Sequence, residues 1–166
     1  MTTRSKEGPV QATSRIPDNY PRVCPYLYVD DGAAAIAFYT KVLGATERGG
    51  RMLTPDGKIG HSELQIGDSL IMVADEFPHM DVLGPKSVGG TPVTLHVYVA
   101  DVDQVFAVAI MAGAEVVRAV QDEFYGDRAG TFADPFGHRW NVASHVEDVE
   151  PEEMQRRLAA AMNHAG

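Results

Sequence analysis

The sequence predicts an α+β protein made of two tandem βαβββ modules followed by a short C-terminal helix. Three observations predict it. The chain resembles itself when shifted by 70 residues: Val23, Tyr28, Val29 and Asp31 meet Val93, Tyr98, Val99 and Asp101. Each copy opens with a β-branched and aromatic run, then an aspartate, an apolar stripe and a glycine. Turn signals then divide the rest of each copy into three short strands.

The elements follow in order. Residues 1–20 are polar and irregular and are expected to form a flexible tail. The first module spans 21–76. Its first strand, 23–29, ends at Asp31, whose carboxylate suits a helix N-cap. Ala33, Ile36, Ala37, Thr40 and Leu43 trace a helical stripe, and Gly44 suits the left-handed residue that ends it. Strands follow at 45–53, 58–66 and 69–75, punctuated by "PDGK" and by "GD", a two-residue turn with glycine first. Residues 77–92, rich in Pro and Gly, form a linker. The second module spans 93–148. Strand 93–99 leads through Asp101 to a helix with Val102, Val105, Phe106 and Ala109 on one face, ended at Gly113. Strands follow at 114–120, 128–133 and 139–145, the last two joined by "DPFG", a type I turn. Within the terminal segment 149–166, Pro151 and two acids open a short helix.

Composition narrows the function. A formal net charge of −9 argues against nucleic acid, which demands a basic face. The apolar runs fall far short of the roughly 20 residues a membrane helix needs. A single cysteine, Cys24, permits no internal disulfide and points to a reducing, cytoplasmic setting. Cys24 itself reads as a small buried thiol rather than a nucleophile.

Strand alternation sorts the candidate residues. Val23, Pro25, Leu27 and Val29 face the helices, with Cys24, Tyr26 and Tyr28 opposite. Leu95, Val97 and Val99 oppose Thr94, His96 and Tyr98; Leu64 and Ile66 oppose His61, Glu63 and Gln65; Trp140 and Val142 oppose Arg139 and Asn141. The polar set is half aromatic, so a curved sheet forming a cleft fits it better than an open solvated face.

The segments "YLYVDDGAAAIAFYTKVLGA", "LHVYVADVDQVFAVAIMAGAEV" and "DPFGHRWNVASH" make the chain resemble the vicinal oxygen chelate superfamily over residues 22–148. That superfamily includes glyoxalase I, bleomycin-resistance proteins, fosfomycin-resistance proteins and extradiol dioxygenases. "GKIGHSELQIGDSLIMVADE" and "FYGDRAGTFADPFGHRW" look most like its PhnB-like branch. The resemblance implies a cupped mixed sheet and a homodimer. Metal-dependent relatives take ligands from the first and last strands of each repeat, which carry over to Tyr26, Ile71, His96 and Asn141. A divalent ion favours imidazole and carboxylate, so no metal is expected at that standard site. His96, His61 and Glu63 are the fallback ligands for a divalent metal.

Two functions remain open. One is a small-molecule-binding protein whose cleft uses Tyr26, Tyr28, His61, His96, Tyr98, Arg128 and Asn141, with no cofactor. The other is a metal-dependent lyase, isomerase or dioxygenase with an altered site, in which His96 and Glu63 are catalytic. Glu63 would there be a general base whose pKa is raised by burial. Each residue also has a structural reading: a hydrogen-bonded strand histidine at 96, a surface pair at 61 and 63, packing for the tyrosines, and a loop salt bridge for Arg128. His79, His138 and His145 are assigned no role.

Overall fold

The computed structural model describes residues 14–164, and the expected tail before residue 14 lies outside them. The first module contains β1 (Tyr26–Val29), α1 (Gly32–Leu43), β2 (Thr46–Leu53), β3 (Ile59–Ile66) and β4 (Ser69–Asp75). A single 3-10 turn (Pro78–Met80) and the one-turn helix α2 (Pro85–Val88) lie in the linker. The second module contains β5 (Thr94–Tyr98), α3 (Val102–Met111), β6 (Glu115–Asp122), β7 (Asp127–Ala133) and β8 (Arg139–His145). The terminal helix α4 spans Pro151–His164. Among the described residues no helix is long and apolar enough to cross a membrane.

Each module forms its own four-stranded sheet, ordered β1-β4-β3-β2 and β5-β8-β7-β6. The first and last strands of each module run parallel and the other pairs antiparallel. This is the mixed tandem arrangement the repeat predicts. β1 and β5 each keep one unpaired edge.

The helices start where the aspartates stand. Asp31 accepts the Ala34 N–H at 2.9 Å and Asp101 accepts that of Gln104 at 3.0 Å, satisfying donors that a helix start leaves orphaned. Side chains from the last strands bind the helix starts too. Asp75 accepts the Gly32 N–H at 2.7 Å, and Ser144 accepts that of Val102 at 3.0 Å. Gly32 is required by space. A Cβ there would stand 2.8 Å from Ile59 Cγ1 and 3.1 Å from the Asp75 carboxylate.

The predicted stripe of α1 is displaced. Ala33, Ala37 and Thr40 are exposed, and the buried face is Ala35, Ile36, Phe38, Tyr39 and Val42. The reason is the other module. Tyr39 reaches across to donate its hydroxyl to buried Asp134 at 2.7 Å, and Trp140 Nε1 donates to the same oxygen at 2.9 Å. Phe38 packs edge-on to Phe132 and Phe136. One apolar core therefore spans both modules on the helix side. Fully buried Leu64, Val73, Val29 and Val142 belong to it, each contributing about 1.5–3 kcal/mol by burial.

Candidate functional site

With the apolar sides committed to the shared core, the polar side chains of each sheet remain on its other face. In module one, the β1–β4 and β3–β4 registers place Tyr26 beside Met72 and Met72 beside Glu63, and the β2–β3 register adds Arg48. Tyr26 and Tyr28 stack, centroids 4.9 Å apart and planes at 21°. The Tyr26 hydroxyl lies 2.7 Å from His61 Nδ1, and His61 Nε2 lies 3.4 Å from Glu63 Oε1.

Glu63 is further occupied. Tyr20 donates to its Oε1 at 2.6 Å, and the Arg48 guanidinium lies 3.7 Å from Oε2 and 4.6 Å above the Tyr20 ring. Arg48 also donates to the Asn19 carbonyl at 2.9 Å. Residues 19 and 20, expected in the flexible tail, are thus strapped onto the sheet. The Tyr20 hydrogen bond, with help from His61 and Arg48, holds the Glu63 carboxyl below its usual range. This reverses the expected upward shift from burial: bonds donated to the carboxylate outweigh desolvation. Desolvation raises the Tyr26 phenol, with the neighbouring Tyr28 adding to it.

In module two, His96 stands beside Asn141 and Asn141 beside Thr131. The His96 ring meets Tyr98 edge-on at 4.8 Å. The Asn141 Oδ1 is buried without a hydrogen-bond partner among the described residues. Tyr98 donates to Asp127 at 2.9 Å. Asp127, a buried carboxylate, also holds His145 Nδ1 at 2.8 Å, while Asp148 holds Nε2 at 2.8 Å. Hydrogen bonds to these two carboxylates raise the His145 pKa above its ordinary value.

Two expectations are corrected. Ile71 is buried in the helix-side core. The register that pairs His96 with Asn141 pairs Tyr26 with Met72, so Met72 is the copy-one position. The error is one residue, because Gly67 and Asp68 alone join β3 to β4 whereas five residues, Asp134 to His138, join β7 to β8. Arg128, a cleft candidate with a loop salt bridge as its structural reading, lies on the helix side and takes the salt-bridge role. Its guanidinium forks onto Asp103 of α3 at 2.8 Å and bonds to Asp122 at 2.9 Å.

Tyr26, Met72, His96 and Asn141 do not fit a divalent metal. One imidazole is joined by a neutral amide, a thioether and a phenol that burial keeps protonated. The fallback set is not assembled either: His61 and Glu63 touch each other, and His96 touches Tyr98 of the other module. Among the described residues no group of three or more His, Cys, Asp or Glu is placed to hold a metal.

Two cavities accompany these faces. The larger, about 770 Å³, follows the seam between modules, between Val23, Pro25 and Leu70 on one side and Leu95, Val97 and His96 on the other. The other, about 550 Å³, lies over Tyr26 and Tyr28 under the linker. The seam is mostly apolar and the second cavity opens on the polar-aromatic face, so volume alone does not locate a binding site.

Sequence reasoning missed Tyr20, Arg48, Asp127 and His145. Alternation from Asn141 places His145 on the polar face and could have found it; nothing in the sequence ties Tyr20 to Glu63.

Comparison with known proteins agrees with this architecture. Residues 21–142 match the family described as Glyoxalase/Bleomycin resistance protein/Dioxygenase superfamily. The chain is 46% identical over 143 residues to the uncharacterized Mycobacterium bovis protein Mb0911c, covering 84% of this chain and 93% of that one. The crystal structure of TioX from Micromonospora sp. ML1 is similar with a TM-score of 0.59 at 28% identity, covering 76% and 99% of the two chains. The fosfomycin resistance protein FosX of Listeria monocytogenes, at 16% identity and a TM-score of 0.57, covers 80% and 96% and shares the fold. The chain therefore belongs to the glyoxalase/bleomycin resistance protein/dioxygenase superfamily.

Proposed function

We propose that the protein is a PhnB-like, cytoplasmic small-molecule-binding member of this superfamily that acts as a homodimer. Its ligand is held between the polar face of module one in one copy and that of module two in the other. The observation that carries this reading is the residue set Tyr26, Met72, His96 and Asn141 at the register-equivalent positions of the two sheets. These groups stack and hydrogen-bond well and ligate a divalent ion poorly.

Three further features support it. The two polar networks are each closed within one module, and neither cavity joins both faces. The free edges of β1 and β5 are flanked by Val23 and Val93, 83% and 60% exposed, which a second copy would cover. The orphaned Asn141 carbonyl beside His96 would be satisfied by a donor from the ligand, since leaving it unpaired costs about 1–3 kcal/mol.

A second reading is an enzyme, favoured by the chain Tyr26–His61–Glu63. Its phenol, imidazole and carboxylate could move a proton to or from a substrate on the module-one face.

Light scattering, elemental analysis and a thermal-shift screen of the untagged protein test the proposal. The expected result is a dimer without stoichiometric metal, stabilised by aromatic compounds in a way that His96→Ala abolishes. Stoichiometric metal that His96→Ala removes would overturn it.

A further inference from the structure

We propose that module one by itself carries a slot for a planar aromatic compound bearing an anionic group. The slot rests on the small-molecule reading above, and it differs in being complete within one chain.

Its walls come from two sources. The stacked Tyr26 and Tyr28 form one side, and Phe77 and Met80 from the linker form the other. The linker is held there by its own bonds. Phe77 and Val82 exchange backbone hydrogen bonds of 2.8 and 3.2 Å, and Glu76 binds the Gly84 N–H and the Ser87 hydroxyl at 3.0 and 2.7 Å. The segment is thus a wall rather than a loose connection. Between aromatic walls the favourable occupant is flat and polarisable, because stacking adds to the area buried.

The floor shows that the space is kept open. It is made by Ala74 and Gly60, and nothing in the backbone demands glycine at 60. Its φ is not in the left-handed region, and an added Cβ would stand 3.4 Å from Met52 O and 3.5 Å from Thr54 Cγ2. Glycine inside a strand weakens it, by roughly 0.5–1 kcal/mol relative to alanine. What the missing side chain gains here is volume in a cavity of about 550 Å³.

The mouth fixes the charge. Lys58 Nζ lies 5.6 Å from the Phe77 ring centroid, and among the described residues no carboxylate lies within ion-pair distance of it. The acid in the lining, Asp56, accepts the Thr54 hydroxyl at 2.6 Å, and that bond, with the Lys58 charge adding to it, lowers its pKa. An aromatic carboxylate, sulfonate or phosphate seated between Tyr28 and Phe77 would bring its anion to the Lys58 ammonium, which makes no direct ion pair among the described residues and acts on Asp56 and Glu76 only at longer range. The chain's overall negative charge favours cations at long range, but salt screens that field within about 10 Å.

The probes are 2-naphthoate and its neutral isostere 2-naphthamide, titrated calorimetrically into the full chain. Naphthoate is expected to bind about threefold more tightly than the amide, the scale of one partly exposed charge contact. Lys58→Gln should erase that preference while keeping amide affinity. Gly60→Leu should weaken both probes at least tenfold by filling the floor. Should Gly60→Leu fail to fold, Phe77→Ala, which removes one wall, should weaken both probes as well. Failure of either probe to bind, or naphthoate binding within twofold of the parent in Gly60→Leu and Phe77→Ala, overturns the slot. If naphthoate binding then still vanishes in His96→Ala, the slot falls and the dimer-cleft reading survives.

Discussion

The two modules share a topology and differ in what their sheets do with it. On the helix side they solve the same problem in the same place: the last strand ends in a side chain that receives the N–H of its helix start. In module one this is Asp75, which also accepts the Ile59 N–H at 2.6 Å. In module two it is Ser144, which accepts from Val102 and donates to the Val99 carbonyl. On the polar side the modules part company. Module one closes its groups into one network, Tyr26–His61–Glu63–Tyr20 with Arg48. Module two leaves Asn141 unsatisfied and places its closed cluster at the strand end, around Asp127. The lesson is that the fold constrains the helix side of a duplicated unit tightly, because orphan helix donors and core volume must be matched. The other face is free to diverge into different chemistry.

The largest expected effect tests the shared solution. Asp75→Ala strands two buried backbone donors, each now satisfied by one oxygen of the carboxylate, so it should cost about 3 kcal/mol in denaturant unfolding. Ser144→Ala removes a neutral hydroxyl and should cost about 1 kcal/mol. Equal losses would break the correspondence drawn between these positions.

A smaller effect tests the closed network of module one. Glu63→Gln removes the charged acceptor of Tyr20 and the partner of Arg48, with a loss of about 1 kcal/mol. The discriminating readout is hydrogen exchange: the Tyr20 amide should lose protection while β5 to β8 do not. Uniform loosening of both modules would mean that the strap is not a module-one device.

How much of this was legible beforehand follows from the same division. The tandem βαβββ plan, the capping aspartates and the inward set of Leu27, Leu64, Trp140 and Val142 are local patterns, and the structure bears them out. The α1 stripe was misread because Phe38 and Tyr39 are buried by the second module, a long-range contact that periodicity within one helix does not register. Met72 was missed by one residue because the "GD" and "DPFG" turns differ in length, and a single-residue slip in a strand moves a side chain to the opposite face. Arg128 takes its salt-bridge reading: the β7–β8 register pairs it with Ser144 on the helix side, where Asp103 of α3 and Asp122 meet it. The polar network around Glu63 depends on where residues before the first strand travel, and no spacing rule carries that.

The smallest expected effect sharpens the contrast at the strand end of module two. His145 bridges Asp127 and Asp148, both of which favour its protonated form and raise its pKa in the folded state. The contact ties the β8 terminus to the segment leading into α4, where Gly126 also accepts the Val146 and Glu147 N–H groups at 2.9 Å each. Because the folded pKa exceeds the unfolded value near 6.5, protonation favours the folded state. The stabilisation is full below about pH 6.5 and is lost as the pH rises through the raised folded value. The side chain is half exposed and solvent-screened, so the shift in Tm is expected to be small. The wild-type protein should exceed His145→Gln in Tm at about pH 6, and the gap should close as the pH rises through the raised folded value. A pH-independent difference for His145→Gln would show that the imidazole packs there without working as a charge.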